Sequence, residues 1–121
     1  MKDIRSHHDG HGLNEMLRII ADDPDESGAS HRYRVKLGYE SNEVAFAQFQ
    51  QGPRGAALST PGITENVLLA ILIDRLMGFQ AGPYACGENG SALAYLKAAL
   101  STLKARSDER AARGVLGKSE K

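Results

Sequence analysis

The stretch Thr60–Pro83, TPGITENVLLAILIDRLMGFQAGP, decides the fold that the sequence predicts. It has the pattern of one helix with its boundaries: Thr64 is a residue type that caps helix starts, and Gly82-Pro83 cannot continue a helix. Apolar residues recur at helical spacing on more than one side, with Leu68, Leu72, Leu76 and Phe79 in a stripe that includes Arg75, and Leu69 and Ile73 on another flank. A helix that is apolar on two sides is expected to contact two partners at once.

A second helix is predicted to begin near Glu88 and to end at about Arg113. Its leucines repeat at three- and four-residue spacing, which is typical of a seam between packed helices: Leu93, Leu96, Leu100 and Leu103. Only the short segment QAGPYACG separates the two helices. The sequence therefore predicts an antiparallel two-helix hairpin over residues 64–114.

Upstream of the hairpin the pattern changes to β-structure. The segments MLRIIAD and HRYRVKL are short and rich in β-branched or aromatic residues, and the turn-forming DPDESGAS separates them, so they predict a β-hairpin. VAFAQFQQGP predicts a third strand. The first twelve residues, MKDIRSHHDGHG, are polar and without periodicity, which predicts a mobile arm.

These elements predict an α+β fold, with a small N-terminal antiparallel β-sheet followed by the helical hairpin. The expected organisation is an arm over 1–12, a single domain over 13–117 with its strands in 13–53, and a tail over 118–121. The chain has 121 residues, 6% aromatic content and no tryptophan, so its own core would be thin. Burial in so small a core roughly cancels the entropy of ordering the chain, and we expect an oligomer; the alternative is a monomer whose first helix is covered by the sheet.

Charge and cysteine content narrow the function classes. Fifteen basic residues balance fifteen acidic ones, so attraction to duplex nucleic acid or to an anionic membrane is not expected. The single cysteine cannot form an internal disulfide, the N-terminus lacks an apolar leader, and the longest apolar run, Val67–Ile73, is too short to span a bilayer. A soluble protein of a reducing cytoplasm is expected.

Three arginines near the end of the second helix are candidates for binding an anion. Arg106, Arg110 and Arg113 fall at helical positions i, i+4 and i+7, so they lie on one side of the helix. Asp108 and Glu109 are expected on other faces, so that an outside anion would relieve the repulsion among the arginines. The alternative is that the arginines stay solvated and complement the helix dipole.

The connection between the helices offers aromatic and amide groups. Phe79 and Tyr84 are suited to stacking on a nucleobase, or alternatively to closing the end of the hairpin. The Asn89 amide is suited to recognising an adenine edge or a ribose, or alternatively to capping the second helix. Cys86 has no neighbouring histidine in sequence and is expected to be a small buried residue.

The sequence shows no catalytic machinery. No nucleophile with a base and an orienting group is recognisable, and no phosphate-binding glycine motif is present, so neither an enzyme nor a cofactor is expected. The histidine-rich run contains four residue types that ligate metals, His7, His8, Asp9 and His11, but its glycine-rich surroundings favour a disordered arm and no metal site.

The motifs FQQGP, GITENVLLAILIDRL, GFQAGPYACGEN and the spaced arginines that end in RGV resemble the phage Thoeris anti-defence proteins of the first type, which share a helical hairpin with anti-CBASS cyclic-nucleotide sponges. The resemblance spans residues 44–117. It implies a protein of the host bacterial cytoplasm that is not an enzyme and that sequesters cyclic ADP-ribose isomers. It also implies a second class of ligand, cyclic trinucleotides or dinucleotides, and assembly as a dimer or a trimer of dimers with pockets between protomers.

The resemblance also implies roles for particular residues. Phe79 matches the aromatic that stacks on the adenine, Asn89 matches the pocket asparagine, and two ligand-facing arginines match Arg106 and Arg110. Arg54 matches the arginine of the cyclic-trinucleotide site. The chain departs from the family pattern at Gly87, where the family has an arginine, and at Leu116, where it has a glutamate. The alternative function is a phage interaction module that binds a host protein through the helical hairpin.

Overall fold

The computed structural model describes residues 1–38, 42–118 and 121. The chain divides into two units, residues 1–62 and residues 63–121. The division separates the predicted strands from the predicted helical hairpin. Residues 119 and 120 of the predicted tail lie outside the described residues.

The first unit is a four-stranded antiparallel sheet with the strand order β1-β2-β3-β4. The strands are β1 (Lys2–Ile4), β2 (Leu17–Ala21), β3 (Arg32–Leu37) and β4 (Asn42–Gln48), and a 3-10 turn over Asn14–Met16 precedes β2. The predicted β-hairpin is confirmed as β2 and β3, and the predicted third strand as β4. The prediction of a mobile arm over 1–12 is wrong for residues 2–4, because β1 pairs antiparallel with β2.

The remainder of the predicted arm is organised by the Glu15 carboxylate. Its oxygens accept backbone N–H bonds from Asp9 at 2.7 Å, Gly10 at 3.3 Å and Gly12 at 2.6 Å. These bonds stabilise the ionised form and lower the pKa of Glu15, with the Gly12 bond contributing most. The composition of the arm suggested disorder because it does not reveal a carboxylate acceptor three to six residues further along the chain.

One face of the sheet is apolar. The register places Ile19 opposite Val35 and Ala21 opposite Tyr33, and Ala21 is fully buried. Tyr33 meets the Phe49 ring edge-on, with centroids 5.6 Å apart. The predicted alternation in β3 holds from Arg32 to Val35, where Tyr33 and Val35 are half-buried and the arginines are exposed. It is wrong at the end of the strand, where Lys36 is half-buried and Leu37 is exposed.

Asp25 fixes the connection between β2 and β3. One carboxylate oxygen accepts bonds from the backbone N–H and the hydroxyl of Ser27, and the other lies 2.8 Å from His31 Nε2. The Ser27 bonds are the main reason that the pKa of Asp25 falls to about 2, and His31 adds to them. Gln51 Nε2 donates to the same carboxylate at 3.2 Å and ties the turn to the chain beyond β4.

The segment 49–62 closes the first unit and includes the bridge between Gln51 and Thr60. Gly62 ends it by passing very close to the chain after β4. A Cβ atom at this position would lie 2.4 Å from the carbonyl oxygen of Gln48 and 2.4 Å from the carbonyl carbon of Phe49. Only glycine lets the two backbones approach to this distance.

The second unit is the predicted antiparallel hairpin of α1 (Glu65–Gln80) and α2 (Gly87–Ala112). Thr64 occupies the N-cap position of α1, as predicted, although its side chain makes no capping hydrogen bond. The four seam leucines of α2 are half-buried, as are Leu69, Ile73 and Leu76 on one face of α1. Neither helix, within the described part of the chain, is long and apolar enough to cross a membrane.

A second side of α1 stays exposed in this chain. Val67, Ile71 and Leu72 are 43%, 57% and 46% exposed. Among the described residues only Ala21 and Arg110 are buried. The thin core is as predicted. The exposed apolar side of α1 is not the predicted flank of Leu69 and Ile73, which is half-buried, and we call the exposed residues Val67, Ile71 and Leu72 the apolar flank of α1.

Candidate functional site

Phe79 lies in the last turn of α1, where the sequence predicts it. The ring is half-buried, and the guanidinium carbon of Arg75 lies 5.0 Å from its centroid. The two residues are one helical turn apart, so a straight helix brings them together without help from other elements. A cation over an aromatic ring is an attractive contact, worth about 0.5–1 kcal/mol at an exposed site such as Arg75.

Gln80 secures the segment that leads from α1 to α2. Its Nε2 donates to the Cys86 carbonyl and its Oε1 accepts from the Cys86 N–H, both at 3.0 Å. The Gln80 amide thus bonds to both the N–H and the carbonyl of Cys86, and these two bonds close the loop of residues 81–86. Nε2 also lies against Gly90, where an added Cβ would approach it to 3.3 Å.

The start of α2 is capped by Cys86. Its sulfur accepts the N–H of Asn89 at 3.4 Å, and its thiol is exposed. Two expectations are therefore corrected: Cys86 is not a buried residue, and Asn89 is not the N-cap, because its position falls inside the first turn. The Asn89 side chain is half-buried beside this loop and has no hydrogen bond to the described residues.

Tyr84 lies within the fixed loop, and its side chain is directed away from the hairpin. It is 74% exposed. The alternative in which Tyr84 closes the end of the hairpin is therefore wrong. The structure places Phe79, Tyr84 and Asn89 at the same end of the helical unit.

Arg110, at the other end of α2, is engaged by its own chain. It is 7% exposed, and Nη2 donates to the Val115 carbonyl at 3.0 Å and to the Lys118 carbonyl at 2.9 Å. The guanidinium therefore pins the chain that follows the helix. The alternative in which the arginines stay solvated is therefore wrong for Arg110, which is nearly buried and donates to carbonyls beyond the end of α2.

Arg113 and Arg106 differ from Arg110. Arg113 follows the last residue of α2 and forms an ion pair with Glu109 through both Nε and Nη2. The expectation that Glu109 lies away from the arginines is wrong, because residues four apart on a helix are neighbours. Arg106 is exposed and makes no ion pair or hydrogen bond to the described residues. Of the predicted cluster, Arg106 is the residue whose guanidinium is open to an outside anion.

The two groups of predicted residues do not meet within one chain. Seventeen residues separate Asn89 from Arg106 along one helix, a distance of about 26 Å at 1.5 Å per residue. One small ligand cannot contact both ends. Arg54 belongs to the first unit, where it is exposed and donates to the Gly62 carbonyl at 3.1 Å.

Two residues that position this site were not predicted. Arg75 was assigned to the apolar stripe, although its spacing of four residues from Phe79 is a signal of a side-chain pair. Gln80 offers no such signal, because its bonds depend on the path of residues 81–86.

No group of three or more metal-binding side chains occurs within the described ranges.

No protein-family model matches the chain. A curated relative, Thoeris anti-defense 1 from Bacillus phage SBSphiJ7, is 38% identical to it over 84 residues. The matched region covers 67% of this chain and 56% of the relative, so the chain spans little more than half the length of that protein. The chain belongs to the family of Thoeris anti-defence proteins of the first type.

Proposed function

We propose that the chain is a phage anti-defence protein that acts in the host bacterial cytoplasm, where it binds a cyclic ADP-ribose isomer and does not degrade it. The similarity to a Bacillus phage protein named for Thoeris anti-defence supports the biological role. The observation that carries the choice of ligand is the contact between Arg75 and Phe79 beside a fixed loop. It presents a rigidly held aromatic ring to a planar base.

The adenine would stack on Phe79. Stacking of a base on an aromatic side chain contributes about 1–3 kcal/mol, and the Arg75 guanidinium raises the rigidity of the ring before the ligand arrives. Tyr84, exposed in the neighbouring loop, supplies a second aromatic surface. Asn89 offers both a donor and an acceptor to the adenine edge or the ribose.

The diphosphate of the ligand needs cations besides Arg75, whose guanidinium lies over the Phe79 ring. Arg106 provides one, but it lies about 26 Å along α2 from Asn89. The complete pocket therefore needs a second copy of the chain, whose Arg106 meets the Phe79 end of the first. Hydrogen bonds between a guanidinium and a phosphate contribute about 1.5–3 kcal/mol each, which suits tight capture by few residues.

The apolar flank of α1 is the surface through which two copies would associate. Its three residues are about half-exposed, and each would be removed from water at a contact between helices. A two-fold axis perpendicular to the helices would place the loop end of one hairpin, with Phe79, beside the open end of the other, with Arg106. The assembly is then a dimer or a trimer of dimers.

Arg110 and Arg113 take different parts in this proposal. Arg110 holds the chain from Val115 to Lys118 in place beside Arg106, and it reaches the ligand only where its remaining N–H groups face the partner. Arg113, paired with Glu109, contributes to the charge around the phosphates. Arg106 is the principal anion contact.

The test is capture and release of a labelled cyclic ADP-ribose isomer. Calorimetry should show nanomolar-range binding, and chromatography after heat denaturation should return the ligand unchanged. Release of a hydrolysed product would show that the protein is an enzyme and would contradict the proposal. Phe79→Leu and Arg106→Gln should each weaken binding by about tenfold or more, whereas Tyr95→Leu, an aromatic 77% exposed on α2, should not.

A second class of ligand, cyclic trinucleotides or dinucleotides, is proposed for the site that includes Arg54. Arg54→Ala should lower affinity for a cyclic trinucleotide and leave binding of the cyclic ADP-ribose isomer unchanged, because the latter uses the helical unit. Competition calorimetry with both ligands measures this. Equal losses of affinity for the two ligands would show that they share one site.

The apolar flank of α1 also supports a second candidate function, which is binding of a host protein through the hairpin. The oligomeric state measured by light scattering, together with cyclic-nucleotide binding, distinguishes the two candidate functions. If the chain is a monomer that binds no cyclic nucleotide, the host-protein function takes the place of capture. A dimer that depends on Ile71 and binds the cyclic nucleotide supports the proposed function.

A further inference from the structure

Gly78 is a glycine inside a helix that the fold of a single chain does not require. It lies two residues before the end of α1. Glycine is unfavourable inside a helix, because it loses more backbone freedom on folding than any other residue. Its φ is not positive, and a Cβ atom added there would meet no other atom within 4 Å. Neither backbone conformation nor packing within one chain therefore explains the glycine.

The other helical glycines differ from Gly78. Gly90, inside α2, leaves room for the Gln80 side chain, since an added Cβ would lie 3.3 Å from Nε2 of Gln80. Gly87 is the first residue of α2, where helix formation demands less of the backbone. Gly78 is thus the glycine whose cost to the helix has no return within the described residues.

Gly78 is exposed and lies beside residues of the candidate site. Phe79 follows it directly, and Arg75 lies three residues earlier, which makes it a neighbour on the helix surface. Gly82, four residues later, also lacks a side chain, and a Cβ atom added there would lie 3.6 Å from the carbonyl oxygen of Gly78. The backbone at the end of α1 is therefore accessible next to the Phe79 ring and the Arg75 guanidinium.

The Gly78 carbonyl accepts no hydrogen bond from the described residues. The Ala81 N–H donates to the Met77 carbonyl and the Gly82 N–H donates to the Phe79 carbonyl, both at 3.1 Å, so the carbonyl between them has no backbone donor. Carbonyls in the last turn of a helix lack intrahelical partners and are satisfied by water or by a ligand. A carbonyl only accepts, so its partner must carry an N–H or O–H group.

We propose that Gly78 positions the base of the bound ligand. The missing side chain lets the adenine lie against the backbone of α1 beside Phe79, and the Gly78 carbonyl accepts a hydrogen bond from the exocyclic amino group of the base. The inference rests on the proposed capture of a cyclic ADP-ribose isomer. Glycine is the residue that allows a backbone to approach a ligand closely. Hypoxanthine has an oxygen in place of that amino group, so the contact selects adenine.

The first test is Gly78→Ala, for which stability and binding should change in opposite directions. Without ligand the thermal midpoint should rise by about 2–4 °C, because alanine favours the helix and its methyl group meets no other atom. Affinity for the cyclic ADP-ribose isomer, measured by calorimetry, should fall about tenfold, because the methyl group holds the base away from the carbonyl. Ser101→Ala, at an exposed position of α2, also favours the helix and should leave the affinity unchanged.

The second test uses the same ligand with hypoxanthine in place of adenine. The unmodified chain should bind the hypoxanthine form about tenfold more weakly, because its oxygen would face the carbonyl of Gly78. In Gly78→Ala the two forms should bind with nearly equal affinity. Phe79→Leu should weaken both forms alike, since stacking does not depend on the exocyclic group.

The outcomes separate this inference from the proposed function. If the unmodified chain binds no cyclic ADP-ribose isomer, both are wrong. If it binds the ligand and Phe79→Leu weakens binding while Gly78→Ala does not, only the role of Gly78 is wrong. A lower thermal midpoint of Gly78→Ala, a smaller assembly in light scattering or an unchanged preference for adenine would also overturn it, because Gly78 would then serve the fold or a contact between copies.

Discussion

The two units of the chain fix their loops with opposite chemistry. In the sheet unit, the carboxylates of Glu15 and Asp25 accept backbone N–H groups and so shape the segments before β2 and after it. In the helical unit, the Gln80 amide fixes the loop before α2 and the Arg110 guanidinium fixes the chain after it. The difference matters because carboxylates lose their charge in acid, whereas amides and guanidinium groups keep their hydrogen-bonding form there.

Arg110 should give the largest effect on stability. Arg110→Ala removes two charge-assisted hydrogen bonds from a nearly buried group and should lower the free energy of unfolding of the helical unit by about 3 kcal/mol. Thermal unfolding monitored at the helical circular dichroism band measures the loss. Arg113→Ala is the matched control, because an exposed ion pair contributes about 0–1 kcal/mol at most. Equal effects of the two variants would show that Arg110 does not fix this end of the unit.

Gln80 should have a smaller effect, and it acts at the other end of α2. Gln80→Leu keeps the size of the side chain but removes both bonds to the Cys86 backbone, so we expect a loss of about 1.5 kcal/mol. Hydrogen exchange should show the change at residues 81–86 and at the first turn of α2. Gln80→Glu keeps the acceptor and loses the donor, so its stability should lie between those of the unmodified chain and Gln80→Leu. Unchanged exchange in Gln80→Leu would mean that the loop is held by its backbone alone.

The smallest effect is the response to acid, and it distinguishes the units most directly. The pKa of Asp25 is about 2 in the folded chain and about 4 in an unfolded one. A lowered pKa stabilises the fold while the carboxylate is ionised, so its contribution is complete above about pH 4 and is lost as the pH falls towards 2. The lowered pKa of Glu15 acts in the same direction.

Amide signals of the sheet unit should therefore weaken in nuclear magnetic resonance spectra between about pH 4 and pH 2, before those of the helical unit. Asp25→Asn should reduce this acid sensitivity. Glu26→Gln, which changes an exposed carboxylate in the same connection, should not. A helical unit that loses its signals first would contradict the comparison.

The fold was largely predictable because its signals are local. The boundary residues of α1, the leucine repeat of α2 and the alternation in β3 each depend on residues within one element. The structure confirms the first two, and it confirms the alternation from Arg32 to Val35 but not at Lys36 and Leu37. The predicted arm failed for the opposite reason, since β1 and the bonds to Glu15 need partners elsewhere in the chain.

The candidate site was predictable in its location and less so in its detail. Spacing placed Phe79 at the end of α1 and Asn89 in the first turn of α2. It did not reveal that Cys86 supplies the cap or that Arg110 donates to Val115 and Lys118, because a side chain that folds back on its own backbone leaves no periodic trace.

Gly62 limits which replacements the chain can accept at the end of the first unit. Any side chain at this position would push the backbone of residues 48–50 away, so a replacement would be tolerated only together with a rebuilt segment after β4. Neighbouring positions such as Leu58, which is 99% exposed, carry no comparable restriction. Among related sequences, this segment should therefore vary around a glycine that stays fixed.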